Sequence, residues 1–230
     1  MDFPVAVTSS DDDGLRAGFQ WCANLLDEGD HVTVWTHLKG NLHNNPVLEA
    51  FVGRYGNVDH VTARGGAYMG HPGPALMAWA DANDIAEFLG ANERYVKGLC
   101  VVSWDEDKLR AWVRASEPEI LGDSSIWEGD EDRKGLDPVV VEAMKQLTAV
   151  INHNNTIRGG YEKDEVVGAL LALRDAGYEL DGPALAAWAT INGWRHDNPA
   201  QLEKFVDQIN RGGRPRTRRG NRPSYMALPR

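Results

Sequence analysis

Behind the apolar run His31–Thr36 the chain gathers Thr36, His37, Lys39, Asn41, His43, Asn44 and Asn45, placing hydroxyl, imidazole, ammonium and amide groups in one short loop. Such groups can orient a small ligand, and in open α/β sheets ligands settle outside the carboxyl ends of the strands. His37, Lys39, Asn41 and His43 are therefore the expected ligand contacts, joined by Arg64 at the edge of the glycine-rich run 64–73. Two imidazoles alone do not make a metal site, and the further ligands on offer, His71 and Asp11, are distant in sequence, so no metal is expected. The plainer reading is a polar surface loop in which Asn44 or Asn45 caps a helix opening at Pro46.

A second chemistry lies at the far end of the chain. Residues 211–230 hold seven of the 24 basic residues and none of the 34 acids, so the tail carries a formal +7 and residues 1–210 a formal −17. Arg211, Arg214, Arg216, Arg218, Arg219 and Arg222 are interleaved with Gly212, Gly213, Pro215, Gly220 and Pro223, which disfavour a helix and leave an extended, disordered arm. Guanidinium groups on such an arm can follow a phosphate backbone, giving affinity without sequence preference. The expected partner is nucleic acid; an acidic protein, or the acidic body of this chain, offers the same attraction.

Phosphate-binding loops are not legible. Neither G-x-G-x-x-G nor a Walker loop occurs, and the run Arg64–Gly73 leads into a strand, so no helix dipole would assist an anion there. Asp11 and Asp13 follow the apolar run Pro4–Thr8, with Thr36, Lys39, Asp81 and Asp84 later. This order resembles haloacid-dehalogenase-like phosphatases, which place a nucleophilic and an acid/base Asp after the first strand, Thr or Ser after the second, then a Lys and an acidic pair for Mg²⁺. The resemblance implies those roles for Asp11, Asp13, Thr36, Lys39, Asp81 and Asp84. The chain departs from it: Ser9 and Ser10 intervene before the acids, Lys39 comes early, and Asp81 and Asp84 are closely spaced. Acids that cap a first helical turn explain Asp11–Asp13 without any reaction.

The elements that must position these residues are an α/β series. Expected strands are Pro4–Thr8, His31–Thr36, Val58–Ala63, Ala75–Ala80 and Gly98–Trp104, alternating with helices Gly14–Leu26, Pro46–Tyr55, Asn83–Leu89 and Glu106–Arg114. They predict a mainly parallel, Rossmann-like sheet flanked by helices over residues 1–116. The weak link is 64–74, which joins two strands without helical periodicity and predicts an antiparallel pair or a long functional loop. From 117 to 137 eight acids face two basic residues with scattered Gly, Ser and Pro, which reads as an acidic linker. Residues 138–210 then predict a small all-α domain, punctuated by Asp137-Pro138, Gly177, Asp181 with Pro183, Gly193 and Asn198-Pro199. Ala189 and Gly193 suit a helix-turn-helix, but the would-be recognition helix carries Glu203 and Asp207 against Lys204, so an ordinary helical hairpin is expected.

Composition sets the frame. No apolar run approaches a membrane span, and 1–14 carries four aspartates in place of a basic leader, so a cytoplasmic protein without membrane contact is expected. Cys22 and Cys100 each sit in apolar surroundings, which predicts buried free thiols. The functional expectation is a non-catalytic or regulatory binding protein whose arm contacts nucleic acid. The competing expectation is a small phosphatase-like or nucleotide-binding enzyme acting on a phosphorylated ligand at the strand ends.

Overall fold

The computed structural model describes residues 1–123, 125–127, 135–151 and 156–218. The chain divides into two compact units, Met1–Asp130 and Glu131–Arg230.

The first unit is an α/β layer structure. Its elements are β1 (Val5–Thr8), α1 (Asp12–Asn24), β2 (Val32–Thr36), α2 (Lys39–His43), α3 (Pro46–Arg54), β3 (Val58–Thr62), β4 (Gly73–Ala78), α4 (Ala82–Asn92), β5 (Val96–Val102), α5 (Glu106–Ser116) and β6 (Glu119–Leu121). Six strands pair in the order β3-β2-β4-β5-β1-β6, and every pairing is parallel. All residues of β2 and β4 are buried, as expected for strands covered on both faces. Helices α1 and α3 touch each other and the strands. Chain winding reverses after β3, so right-handed crossovers carry α4 and α5 to the opposite face. Gly18 lets α1 approach the sheet: a Cβ there would lie 2.9 Å from Leu76 Cδ1 and 3.0 Å from Cys100 Sγ.

Two expectations need correction. The strands on either side of 64–74 are not an antiparallel pair; both lie parallel to β2, one on each side of it. The loop is therefore a crossover without a regular helix, and a buried amide ties it down. Asn92 Nδ2 donates to Ala67 O at 2.7 Å, and its Oδ1 accepts from Met69 N at 2.8 Å. The stretch read as linker from 117 supplies β6, which pairs with β1. An edge strand of three residues, none fully buried, needs no apolar alternation, which is why its pattern was silent.

The second unit contains α6 (Pro138–Ile151), α7 (Gly160–Asp175), α8 (Gly182–Ile191) and α9 (Asn198–Asn210). Val140, Met144, Leu147 and Ile151 of α6 join Leu170, Leu185, Leu202, Phe205 and Val206 in its core. Trp194 in the α8–α9 turn is 2% exposed and donates from Nε1 to Thr148 Oγ1 at 2.8 Å. Asp181 caps α8 by accepting from Ala184 N. Asn198 is no cap; it is buried and its Oδ1 accepts from Ile157 N at 3.0 Å, fixing the approach to α7.

The arm departs from its expected start. Residues 211–218 form neither helix nor strand, yet Pro215 is buried, and the Arg218 N–H donates to both Asp164 carboxylate oxygens at 3.1 Å. Arg219 and Arg222 lie outside the described residues. No described helix is long and apolar enough to cross a membrane. Cys22 and Cys100 are free and buried, and burial, reinforced by the neighbouring Cys100, pushes the Cys22 thiol well up.

Candidate functional site

Strand order locates the site. β2 leads into α2 and α3, whereas its neighbour β4 leads into α4 on the opposite face, so a crevice opens between their carboxyl ends. There the structure has a cavity of about 540 Å³ lined by His37, Leu38, Asn41, Ala78, Trp79, Asp81, Asp84 and Trp104.

Each lining group has a local cause. His37 follows β2, and its ring meets the buried Trp35 edge-on at a centroid distance of 6.2 Å. Asn41 Oδ1 accepts from Leu38 N at 2.8 Å, shaping the turn into α2. Asp81 and Asp84 cap α4 reciprocally: Asp81 Oδ1 accepts from Asn83 N and Asp84 N, and Asp84 Oδ2 accepts from Asp81 N at 3.1 Å. Asp84 Oδ1 also lies 3.5 Å from His37 Nδ1. Burial pushes the Asp84 carboxyl above its ordinary value.

The two tryptophans differ. Trp79 follows β4 in the left-handed region at φ 61°, a strained conformation for a bulky residue that costs about 1–3 kcal/mol. Its N–H still donates to Val102 O at 3.0 Å, so the sheet holds it there. Trp104, beyond β5, is 57% exposed, and Lys108 Nζ sits 4.8 Å from its ring centroid. A crevice with two indole rings, two carboxylates, an imidazole and an amide can stack a ring and accept hydrogen bonds from hydroxyl groups.

Of the expected contacts, His37 and Asn41 line the cavity, whereas Lys39, His43 and Arg64 do not. Lys39 begins α2, and Arg64 sits in the short turn after β3. His43 Nδ1 is 3.0 Å from Glu49 Oε1, spent on a local pair. Asn45 accepts from Leu48 N and caps α3, as the plainer reading of the loop has it. Lys39 and His43 do act at a distance: burial first, then their charges, hold His60 below its ordinary value. Thr36 Oγ1 donates to Leu38 O, so at 2.8 Å it must accept from His60 Nε2–H.

The phosphatase-like set is not assembled. Asp11 Oδ1 accepts from Gly14 N at 2.7 Å as the cap of α1, and that bond holds its carboxyl below the usual range. Thr36 is spent as described, and neither Asp11 nor Lys39 lines the cavity. Leu38, Trp79 and Trp104 were missed. The signal was available: Trp79 and Trp104 stand at the close of the expected strands Ala75–Ala80 and Gly98–Trp104 and Leu38 just beyond His31–Thr36, at strand ends where the crevice rule applies.

At the amino ends of β2 and β3, away from the crevice, His31, Asp59 and His71 converge. Their ligand atoms lie within 4.8 Å of one another, and the two imidazoles stack at a centroid distance of 3.8 Å.

Residues 136–228 match the family model described as Domain of unknown function (DUF1889), which covers the second unit and most of the arginine tail but less than half of the chain. Neither a curated protein nor a solved structure matches this chain.

Proposed function

We propose that the first unit binds a small uncharged ring compound bearing hydroxyl groups, of the sugar or nucleoside kind, in the β2–β4 crevice. The observation that carries this reading is Trp79, held at φ 61° beside a concave site at the point where the sheet's winding reverses. Strained residues concentrate where a side chain must be aimed, and the aim here is toward a cavity that Trp104 also lines. Asp81 and Asp84 line it without a Lys or Arg, so a phosphorylated ligand is disfavoured by like charge. The experiment is a melting-temperature and tryptophan-fluorescence titration with nucleosides and monosaccharides and, in parallel, their monophosphates. The uncharged compounds should raise the melting temperature and change indole emission more than their phosphates do. Tighter binding of the phosphates overturns this reading.

A second reading concerns the arm. Arg211, Arg214, Arg216 and Arg218 are all exposed, on a segment whose backbone is pinned by Pro215 and Asp164. Among the described residues Arg211 and Arg214 make long pairs of 3.8 Å with Asp207 and Asp175, worth little when exposed. Guanidinium groups displayed this way support contact with nucleic acid without sequence preference. Duplex or single-strand affinity should fall with log salt at a slope no steeper than about −6, and a chain ending at Asn210 should lose binding. Equal binding by that truncated chain removes the arm from the interface.

A further inference from the structure

We infer that His31, Asp59 and His71 form a binding site for a divalent transition-metal ion of the zinc type, separate from the crevice at the other end of the strands. His31 immediately precedes β2, Asp59 is the second residue of β3, and His71 lies in the crossover between β3 and β4. Asp59 Oδ2 lies 2.9 Å from His31 Nδ1 and 2.9 Å from His71 Nδ1. A carboxylate only accepts, so both ring nitrogens carry hydrogen in this arrangement and point at one oxygen.

That convergence is what a cation needs. Two imidazole nitrogens and a carboxylate oxygen are a common ligand set for zinc, with metal distances of about 2.0–2.2 Å. Around a tetrahedral ion such ligands stand about 3.4 Å apart, so each nitrogen–oxygen pair, now at 2.9 Å, needs to open by only about half an ångström. The ion would replace the two Nδ1 hydrogens, which pass to Nε2 or to solvent, and three protein ligands leave a position for water. Half-exposed His71 gives the ion a way in.

The backbone holds the ligands in place before any ion arrives. The His31 N–H donates to Pro72 O at 3.0 Å, which locks the loop carrying His71 against the start of β2. Gly73 permits this approach: at φ 146° its Cβ would lie 2.1 Å from His31 O. Register pairs Asp59 with Thr33 on β2, which sets the carboxylate beside the two rings. A ligand set supported this way pays little reorganisation on binding.

The test is zinc titration of the full chain near neutral pH, followed by calorimetry. One Zn²⁺ per chain should bind and raise the melting temperature. His71→Ala and Asp59→Asn should each weaken affinity by at least the roughly 10–100-fold that loss of an outer-shell partner costs. His43→Ala, which removes an exposed imidazole elsewhere, should leave affinity unchanged. Zinc binding that survives both ligand substitutions, or no binding of one ion per chain, overturns the site. Wild-type protein with Co²⁺ decides independently of any variant's folding: a four-coordinate site gives intense visible absorption, whereas the pale spectrum of the hydrated ion refutes it.

Discussion

His37 and Asp84 meet across the crevice although one follows β2 and the other opens α4, with Nδ1 3.5 Å from Oδ1. The Asp84 side chain is 19% exposed, and burial is the main cause that raises its carboxyl. The folded chain therefore holds this proton more tightly than the unfolded chain does. Its contribution to stability is greatest below the unfolded carboxylate value and declines as pH rises through the folded one. Asp84→Asn removes that decline and keeps an oxygen for the Asp81 N–H. Thermal melts should show the variant close to wild type in acid and above it at neutral pH. A variant that melts lower at neutral pH, without convergence in acid, contradicts this account.

Trp104→Ala should separate binding from folding. The ring is 57% exposed, so its loss should change stability by no more than about 0.5 kcal/mol. Loss of a stacking surface worth about 1 kcal/mol should weaken binding of a ring compound about fivefold. Fluorescence titration of the variant, read from the remaining tryptophans, checks this.

Thr33→Val should stabilise the first unit. Thr33 is wholly buried in β2, and its Oγ1 has no hydrogen-bond partner among the described residues. Exchanging an unsatisfied hydroxyl for a methyl group of similar shape should gain about 1 kcal/mol, or roughly 2–4 °C in melting temperature. Thr36→Val on the same strand should do the opposite, because its hydroxyl serves both Leu38 and His60.

Lys97→Met should lower stability at neutral pH and flatten its loss in acid. Lys97 Nζ donates to both Asp30 oxygens at 2.7 and 2.9 Å and to Asp27 at 3.1 Å. The Lys97 hydrogen bond is the main cause that holds the Asp30 carboxyl below its ordinary value. A depressed carboxyl contributes stability above its unfolded value and loses it as pH falls through the folded one. Urea denaturation at neutral and acidic pH should therefore give a smaller difference for the variant than for wild type.

Gly73→Ala should destabilise by about 2–4 kcal/mol. The clash is with backbone, His31 O at 2.1 Å, and a rotamer change does not relieve it. The same variant should lose zinc affinity, because the loop bearing His71 can no longer seat against β2.

Alternation of apolar runs with helical periodicity was enough to place the first five strands and helices α1, α3, α4 and α5, because each is encoded by neighbours two to four residues apart; α2, five residues long, had read as part of a polar loop. The same local logic marked Asp11, Asn45, Asp137 and Asp181 as caps and Cys22 and Cys100 as buried thiols, whereas the capping role of Asp81 emerged only from the structure. Strand order was not legible: that β2 lies between β3 and β4 follows from packing and handed crossovers, which no window of sequence contains. Nor was β6, a half-exposed edge whose partner β1 lies more than a hundred residues earlier. The crevice residues suffered the same way, since His37, Trp79, Asp84 and Trp104 come from the ends of three strands and touch one cavity only once the sheet is ordered. Lys39 and His43 shared a loop with His37 but face elsewhere, because the turns of α2 distribute neighbouring side chains around its axis. His31, Asp59 and His71 are separated by 28 and 12 residues, and a parallel register together with a buried Asn92 brings them to a single oxygen. Proximity in the chain named the candidate groups, and tertiary packing selected among them.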